Sequence, residues 1–306
     1  MTPDADVAPC AIESSKRDES LAATASRVRK WLLVEQPGPW GYDALVESRL
    51  DADIAQALRA QARETGVRVV LIRRPGWESS DDRRAYLVRS DRAHRWIERV
   101  DIDESRDLLD IDLEVLDADE PPGHGAPPPS FVHLVCTNGK HDRCCADLGR
   151  PVIRALIEAG VEEVWESSHI GGDRFAANIV CLPTGVYFGR VPPDEAVRIV
   201  TEHAGGLLDI DCYRGQSCYP PLMQAAEIFA RRELGERRLS ALRFLGVERD
   251  GDVDGLTAVL QHDSRGELRV RVGRERGPAE RLTCTSDAAS KPWQYRLQEL
   301  TRLDPP

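Results

Sequence analysis

Residues 131–145 read FVHLVCTNGKHDRCC, and the fold is decided by how this stretch is read. The run 131–135 is short and apolar, as a buried strand requires, with His133 alternating within it as a structural residue. Cys136 follows directly, so its thiol sits at the strand's C-terminal end, the edge where open α/β sheets gather ligands. The loop 137–143 is polar and basic, and Cys144-Cys145 lies on the approach to the next helix. Pro151 can open that helix, with Ile153, Leu156 and Ile157 on one face and Gly160 ending it. Residues 161–166 form the next strand. It leads into SSHIGGDRFAAN at 167–178, where His169 precedes the pair Gly171-Gly172.

Working outward from this core, 177–182 and 186–189 read as a hairpin turning at Pro183-Thr184-Gly185. Pro192-Pro193 starts a helix with Asp194 and Glu195 in its first turn, where the helix dipole favours acids. That gives the order β-α-β-β-β-α, and a further helix over 220–232, with Leu222, Ala225, Ala226 and Phe229 aligned, closes a unit spanning 131–235. Upstream, 26–118 repeats the order β-α-β-β-β. Trp31 to Val34 is a buried strand, Asp51 caps a helix closed by Gly66, and strands lie near 67–72, 85–89 and 95–100; 101–118 carries no clear pattern. The run DADEPPGHGAPPPS at 117–130 is a linker or surface loop centred on 119–130, with His124 solvated. Residues 1–25 read as a mobile lead-in, and 236–306 as a mainly antiparallel β segment through ELRVRV. The two α/β patterns suit a duplicated small unit; one sheet drawing on both halves is the alternative.

The chain has 306 residues and a net charge of −11. That charge repels phosphate backbones and speaks against nucleic-acid binding; it reads first as a surface that keeps the protein soluble, with docking to a basic patch on a redox partner protein as the alternative. No run approaches the ~18 apolar residues of a membrane helix. The start MTPDADVAPC lacks the basic-then-apolar order of a signal peptide, so a cytoplasmic location is expected. The eight cysteines are then reduced thiols or metal ligands rather than disulfides.

Three of those cysteines fall within ten residues, Cys136, Cys144 and Cys145, and His169 lies one βα unit away. Thiolates bind soft metals and iron–sulfur clusters, and Lys140, Arg143 and helix-end amides all favour the thiolate. Gly171 and Gly172 allow backbone to approach a bulky inorganic group. His141, in the cysteine loop, is a further candidate ligand or proton relay. Arg214 is a candidate for contacting an acidic group near such a centre. Cys212 and Cys218 read as free thiols flanking a turn, Cys181 as a core residue, and Cys10 and Cys284 have no partner by spacing.

CTNGKHDRCC, SSHIGGDRFAAN, VYFGRVPPDE and YRGQSCYPPLMQAAE, with WLLVEQPGPWG upstream, resemble the sucrase/ferredoxin-like family. The resemblance implies a thioredoxin-like ferredoxin unit holding a [2Fe–2S] cluster through two cysteines with eight residues between them and two histidines with three. Carried onto this chain, the cysteines are Cys136 and Cys145 and the first histidine is His169. Asp173 stands at the second histidine position, a harder ligand than imidazole, with Cys144 or Cys181 as alternatives. The implied function is electron transfer rather than self-contained catalysis. The alternatives are a thiol–disulfide enzyme using the 136–145 cysteines and a zinc-binding interaction module.

Overall fold

The structure is a computed structural model that describes residues 8–77, 82–248, 254–286 and 288–303. After a short helix α1 (Cys10–Lys16), the first half contributes β1 (Lys30–Glu35), α2 (Ala52–Thr65), β2 (Arg68–Arg73), β3 (Arg83–Ser90) and β4 (Arg95–Ile102). The second half contributes β5 (Val132–Cys136), α3 (Arg143–Glu158), β6 (Val164–Ser167), β7 (Ile179–Leu182), β8 (Val186–Phe188), α4 (Ala196–Ala204) and β9 (Tyr213–Gln216). All nine strands join one mixed sheet, in the order β4-β3-β1-β2-β6-β5-β7-β8-β9.

The halves share a local topology. In each, the first strand is parallel to the second across a helical crossover and antiparallel to the third, which pairs antiparallel with the fourth. They meet at β2 and β6, which run antiparallel with Ile72 opposite Ser167 and Arg73 opposite Glu166. The single sheet raised as an alternative on sequence grounds is therefore what forms, each half supplying one arm.

Strand alternation explains the layering. Leu32 and Val34 face α2 and its buried Ile54 and Leu58. Trp31 and Leu33 face the opposite side, in a core that continues across the junction through Leu134, Val180 and Tyr187. Val135, Ile179 and Phe188 pack against Val152 and Leu156 of α3 and Ile199 of α4. At the junction, Arg73 donates from Nε to Glu166 Oε2 at 3.0 Å, and Thr137 Oγ1 donates to the same oxygen at 2.7 Å. A buried pair of this kind is costly to break from one side.

Three expectations need correction. The segment up to residue 25 is not a mobile lead-in from residue 8 onward. It forms α1 and then runs through buried Leu21, Ala22, Ala23 and Ala25, held by the Thr24 amide to the Arg214 carbonyl at 3.2 Å. The helix read as opening at Pro151 begins eight residues earlier, at Arg143, because Asp142 caps it by accepting from the Cys144 amide at 2.9 Å. The bond Pro151 cannot donate is that to Asp147, an exposed residue whose carbonyl can turn to water. The unpatterned 101–118 holds two short 3₁₀ turns that bury Leu108, Leu113 and Leu116 against the α2 layer.

The 119–130 stretch is a surface loop pinned to β4. Glu98 accepts from the Gly123 amide at 3.2 Å and the Gly125 amide at 2.5 Å. After α5 (Pro221–Leu234), β10 (Leu242–Glu248), β11 (Gly255–His262) and β12 (Gly266–Arg276) follow. The last strands are β13 (Glu280–Arg281), β14 (Ala289–Ser290) and β15 (Trp293–Leu303). An antiparallel sheet β10-β11-β12-β15 packs Leu260, Leu268 and Val270 on Ala226 and Ala230 of α5. Among the described residues no helix is long and apolar enough to cross a membrane.

Two buried histidines make stability pH-dependent. Burial lowers His133 from 6.5 to about 4. Burial, then the nearby His133 and Arg95 charges, lower His203 to about 3. The unfolded chain binds these protons first, so the stability is whole above about pH 6.5 and drains as pH falls toward 4 and 3. A tenfold weakening of proton affinity on folding corresponds to about 1.4 kcal/mol. Urea unfolding at pH 7 and pH 5 should show a loss that His133→Asn reduces; an equal loss in the variant would refute this assignment.

Candidate metal centre

The candidate site lies where β5, β6 and the first turn of α3 converge. Cys136 is the last residue of β5, and Gly149 lets α3 approach it. A Cβ at 149 would stand 2.2 Å from the Cys136 carbonyl oxygen, so only glycine fits. The capped start of α3 then presents its two cysteines in opposite senses, since adjacent helical residues differ by about 100°. Cys145 turns inward to Cys136. Cys144 turns outward, to Cys10 at 3.7 Å and Cys284 at 3.4 Å between sulfurs.

His169 arrives from the end of β6, which the N-terminal half holds in place. Ser168 donates its amide to the Leu71 carbonyl at 2.8 Å, its hydroxyl accepts from the Leu71 amide at 3.0 Å, and Arg68 donates to the His169 carbonyl at 2.9 Å. Ligand atoms of Cys136, Cys145 and His169 all lie within 4.8 Å of one another. Asp173 adjoins them, with Oδ1 accepting from Cys145 Sγ at 3.2 Å and standing 2.9 Å from His169 Nδ1. Nδ1 is buried yet makes no directed hydrogen bond there, so charge and not a formed bond links it to the carboxylate.

His141, only a secondary candidate by sequence, stacks on His169 with ring centroids 3.7 Å apart. Tyr42, exposed, stacks on its other face at 4.5 Å. His141, His169 and Asp173 form a second close group of potential ligand atoms. The signal for His141 is the HD pair of the loop, but Tyr42 comes from the other half and nothing local announces it.

Of the remaining predicted residues, Gly171, Gly172 and Arg214 frame this centre, whereas Lys140, Arg143, Cys181, Cys212 and Cys218 are not among its close group of potential ligand atoms. Gly171 and Gly172 have φ of +103° and +88°. Arg214 is wholly buried behind them, donating to the Gly171 carbonyl at 3.0 Å, Asn178 Oδ1 at 2.7 Å and Thr24 Oγ1 at 3.0 Å. It thus grips the backbone of the His169 loop. Lys140 and Arg143 are exposed, with Arg143 Nε 3.8 Å from Asp147. Cys181 is buried inside β7 opposite His133, a core position whose thiol pKa burial pushes up. Cys212 and Cys218 lie beyond opposite ends of β9, each raised to about 12 by burial.

The electrostatics favour a thiolate at Cys136. Its pKa is held well below the thiol range by the Cys145 S–H, against burial, and then by His169. Cys145 is pushed well above that range by Cys136 and by burial. Burial alone would lower His169, but Asp173 and Cys136 outweigh it and raise it to about 9. Burial would raise Asp173, but His169 and then His141 hold it below the usual carboxylate range.

The glycine at 172 can be tested against a control. A Cβ there would lie 2.3 Å from Arg214 Nη2, whereas Gly206, also at positive φ, has open space around it. Gly206→Ala should cost about 1–2 kcal/mol for its left-handed backbone. Gly172→Ala should cost roughly 1–3 kcal/mol more through the clash. Equal losses in thermal or urea unfolding would show that Arg214 does not press on this loop.

Among curated proteins no relative matches this chain. A solved thioredoxin-like [2Fe-2S] ferredoxin from Aquifex aeolicus aligns at 20% identity over 30% of this chain and 97% of its own, with a TM-score of 0.26. The family model described as sucrase/ferredoxin-like matches residues 21–215, about two thirds of the chain and all of the centre just described. The chain belongs to the sucrase/ferredoxin-like family.

Proposed function

We propose that this protein is an electron carrier with one [2Fe–2S] cluster held by Cys136, Cys145, His169 and Asp173, the 131–235 unit being its ferredoxin portion. The observation that carries the reading is the convergence of two buried thiols and a histidine nitrogen without a directed hydrogen bond at one strand edge. Such a donor set suits iron: soft sulfur, borderline imidazole and a hard carboxylate. When bound, the cluster supplies one-electron chemistry.

The chain's own residues set the terms of that chemistry. Cys136 and Cys145 are each 1% exposed, which keeps water from the sulfurs. The Cys136 pKa favours the anionic form that binds metal, so loading releases few protons from that side. Arg214 places a buried positive charge behind the loop, which favours an added electron. The His169 side chain is 24% exposed although its Nδ1 is buried, so the exposure lies elsewhere on the ring. Proton uptake on reduction would then occur at whichever ring nitrogen does not hold the metal. The Tyr42–His141–His169 stack opens this side to the surface, where a redox partner protein would dock.

Asp173 distinguishes this centre from one with two histidines. A carboxylate leaves the cluster more negative by one charge, so it should be harder to reduce. Cluster potentials run from about −400 mV with four cysteines to roughly −150 to +300 mV with two histidines, and this centre should lie between. A thiol–disulfide role has one observation in its favour, the closeness of the Cys136 and Cys145 sulfurs, but a disulfide is colourless and holds no iron.

Anaerobic purification followed by iron and sulfide analysis should give about two of each per chain with visible absorption. Cys136→Ser, Cys145→Ser and His169→Ala should each lose most of it. Colourless, iron-free protein after anaerobic reconstitution would overturn the proposal. Asp173→His should raise the reduction potential by on the order of 100 mV. An unchanged potential with the same loss on His141→Ala would transfer the fourth position to His141. The wild-type potential should also fall with rising pH; independence from pH 6 to 9 would contradict a solvent-linked histidine ligand.

A further inference from the structure

Cys10, Cys144 and Cys284 are far apart in sequence and meet at one point. Cys10 opens α1, Cys144 is in the first turn of α3, and Cys284 lies between β13 and β14. With Asp142, their ligand atoms fall within 4.8 Å of one another. The Cys144 sulfur is 3.7 Å from that of Cys10 and 3.4 Å from that of Cys284. Cys10 Sγ stands 3.5 Å from Asp142 Oδ2.

These separations match the edges of a tetrahedral zinc site. With Zn–S of about 2.3 Å and Zn–O of about 2.0 Å, sulfurs stand about 3.8 Å apart and sulfur and oxygen about 3.5 Å apart. A cavity-filling set of thiols has no such requirement. The surroundings are already organised: the Cys10 amide donates to Cys284 Sγ at 3.2 Å, and Asp142 receives the Cys144 amide on Oδ1 and the Cys284 amide on Oδ2. Cys284 Sγ, facing two other thiols, is drawn well below the usual thiol range. Asp142 and Cys144 are wholly buried.

The geometry points to a structural divalent zinc site, held by Cys10, Cys144, Cys284 and Asp142 and separate from the centre at Cys136 and Cys145. Its formation is ligand exchange: each thiol still protonated gives its proton to solvent as its sulfur takes the metal, with no change of oxidation state. The metal would pin the N-terminal helix and the C-terminal turn to the start of α3. The start of α1 already packs there, with Cys10 and Ala11 buried against Cys144 and Ala176.

The test is zinc and iron quantified together in the full chain after anaerobic purification from zinc-containing medium. About one zinc per chain should be found. Cys10→Ser and Cys284→Ser should lose it while keeping the iron and visible absorption of the wild type; His169→Ala should do the reverse. If the serine variants fail to fold, cobalt loading of the wild type carries the test, with expected thiolate-to-cobalt absorption and the ligand-field bands of tetrahedral geometry. Zinc without iron would leave this site standing and remove the electron-carrier reading. Absent zinc and cobalt binding, a disulfide among these three cysteines in the anaerobic chain, or a second iron cluster lost on Cys284→Ser would each overturn the site.

Discussion

The Asp142 carboxylate organises the chemistry of this protein. It is wholly buried, and burial pushes its pKa to about 6. One oxygen caps α3 through the Cys144 amide and the other accepts from the Cys284 amide. Capping fixes where the helix begins, and the beginning fixes which way Cys144 and Cys145 point. Adjacent cysteines on a loop would compete for one metal. On the first turn of a helix they turn apart, Cys145 toward Cys136 and His169 and Cys144 toward Cys10 and Cys284. Losing the cap would blur both at once.

The N-terminal half, which contributes neither Cys136, Cys145 nor His169, acts on that group through the β2–β6 junction. Its strand β2 sets the end of β6 by hydrogen bonds from Leu71 and Arg68. Arg73 and Glu166 lock the register, since shifting it by one residue would bury each charge without the other. Tyr86 donates to Glu163 Oε2 at 2.6 Å and Trp165 Nε1 to the same oxygen at 3.1 Å, closing the seam further along. The N-terminal half therefore supplies the rigidity that keeps His169 facing the cysteines, and adds Tyr42 to the stack.

Much of this is legible in the sequence. The strands around 31–34, 67–72 and 131–135 read correctly because their apolar runs are bounded by turns. The cysteine and histidine motifs stand at strand ends where chemistry collects. The start of α3 is misread because Pro151 offers a familiar opening, while the true cap, Asp142, is hidden in a loop rich in polar residues. The order of the lead-in is missed because Leu21, Ala22, Ala23 and Ala25 are mostly small and give weak periodicity; the partners that bury them are distant in sequence, Ala22 in the α3–α4 core, Ala23 against α5 and the C-terminal sheet, and Ala25 beside Trp31 and Ile170. Cys10 and Cys284 lie 274 positions apart. No spacing rule joins such residues, and only the folded chain does.

The central claim is that one histidine nitrogen, that of His169, shares a metal centre with the sulfurs of Cys136 and Cys145. Pulsed electron paramagnetic resonance on dithionite-reduced protein labelled with ¹⁵N-histidine reads this directly. The account expects one strongly coupled histidine nitrogen, retained in His141→Ala and absent in His169→Ala. A reduced cluster signal with no strongly coupled nitrogen would contradict it.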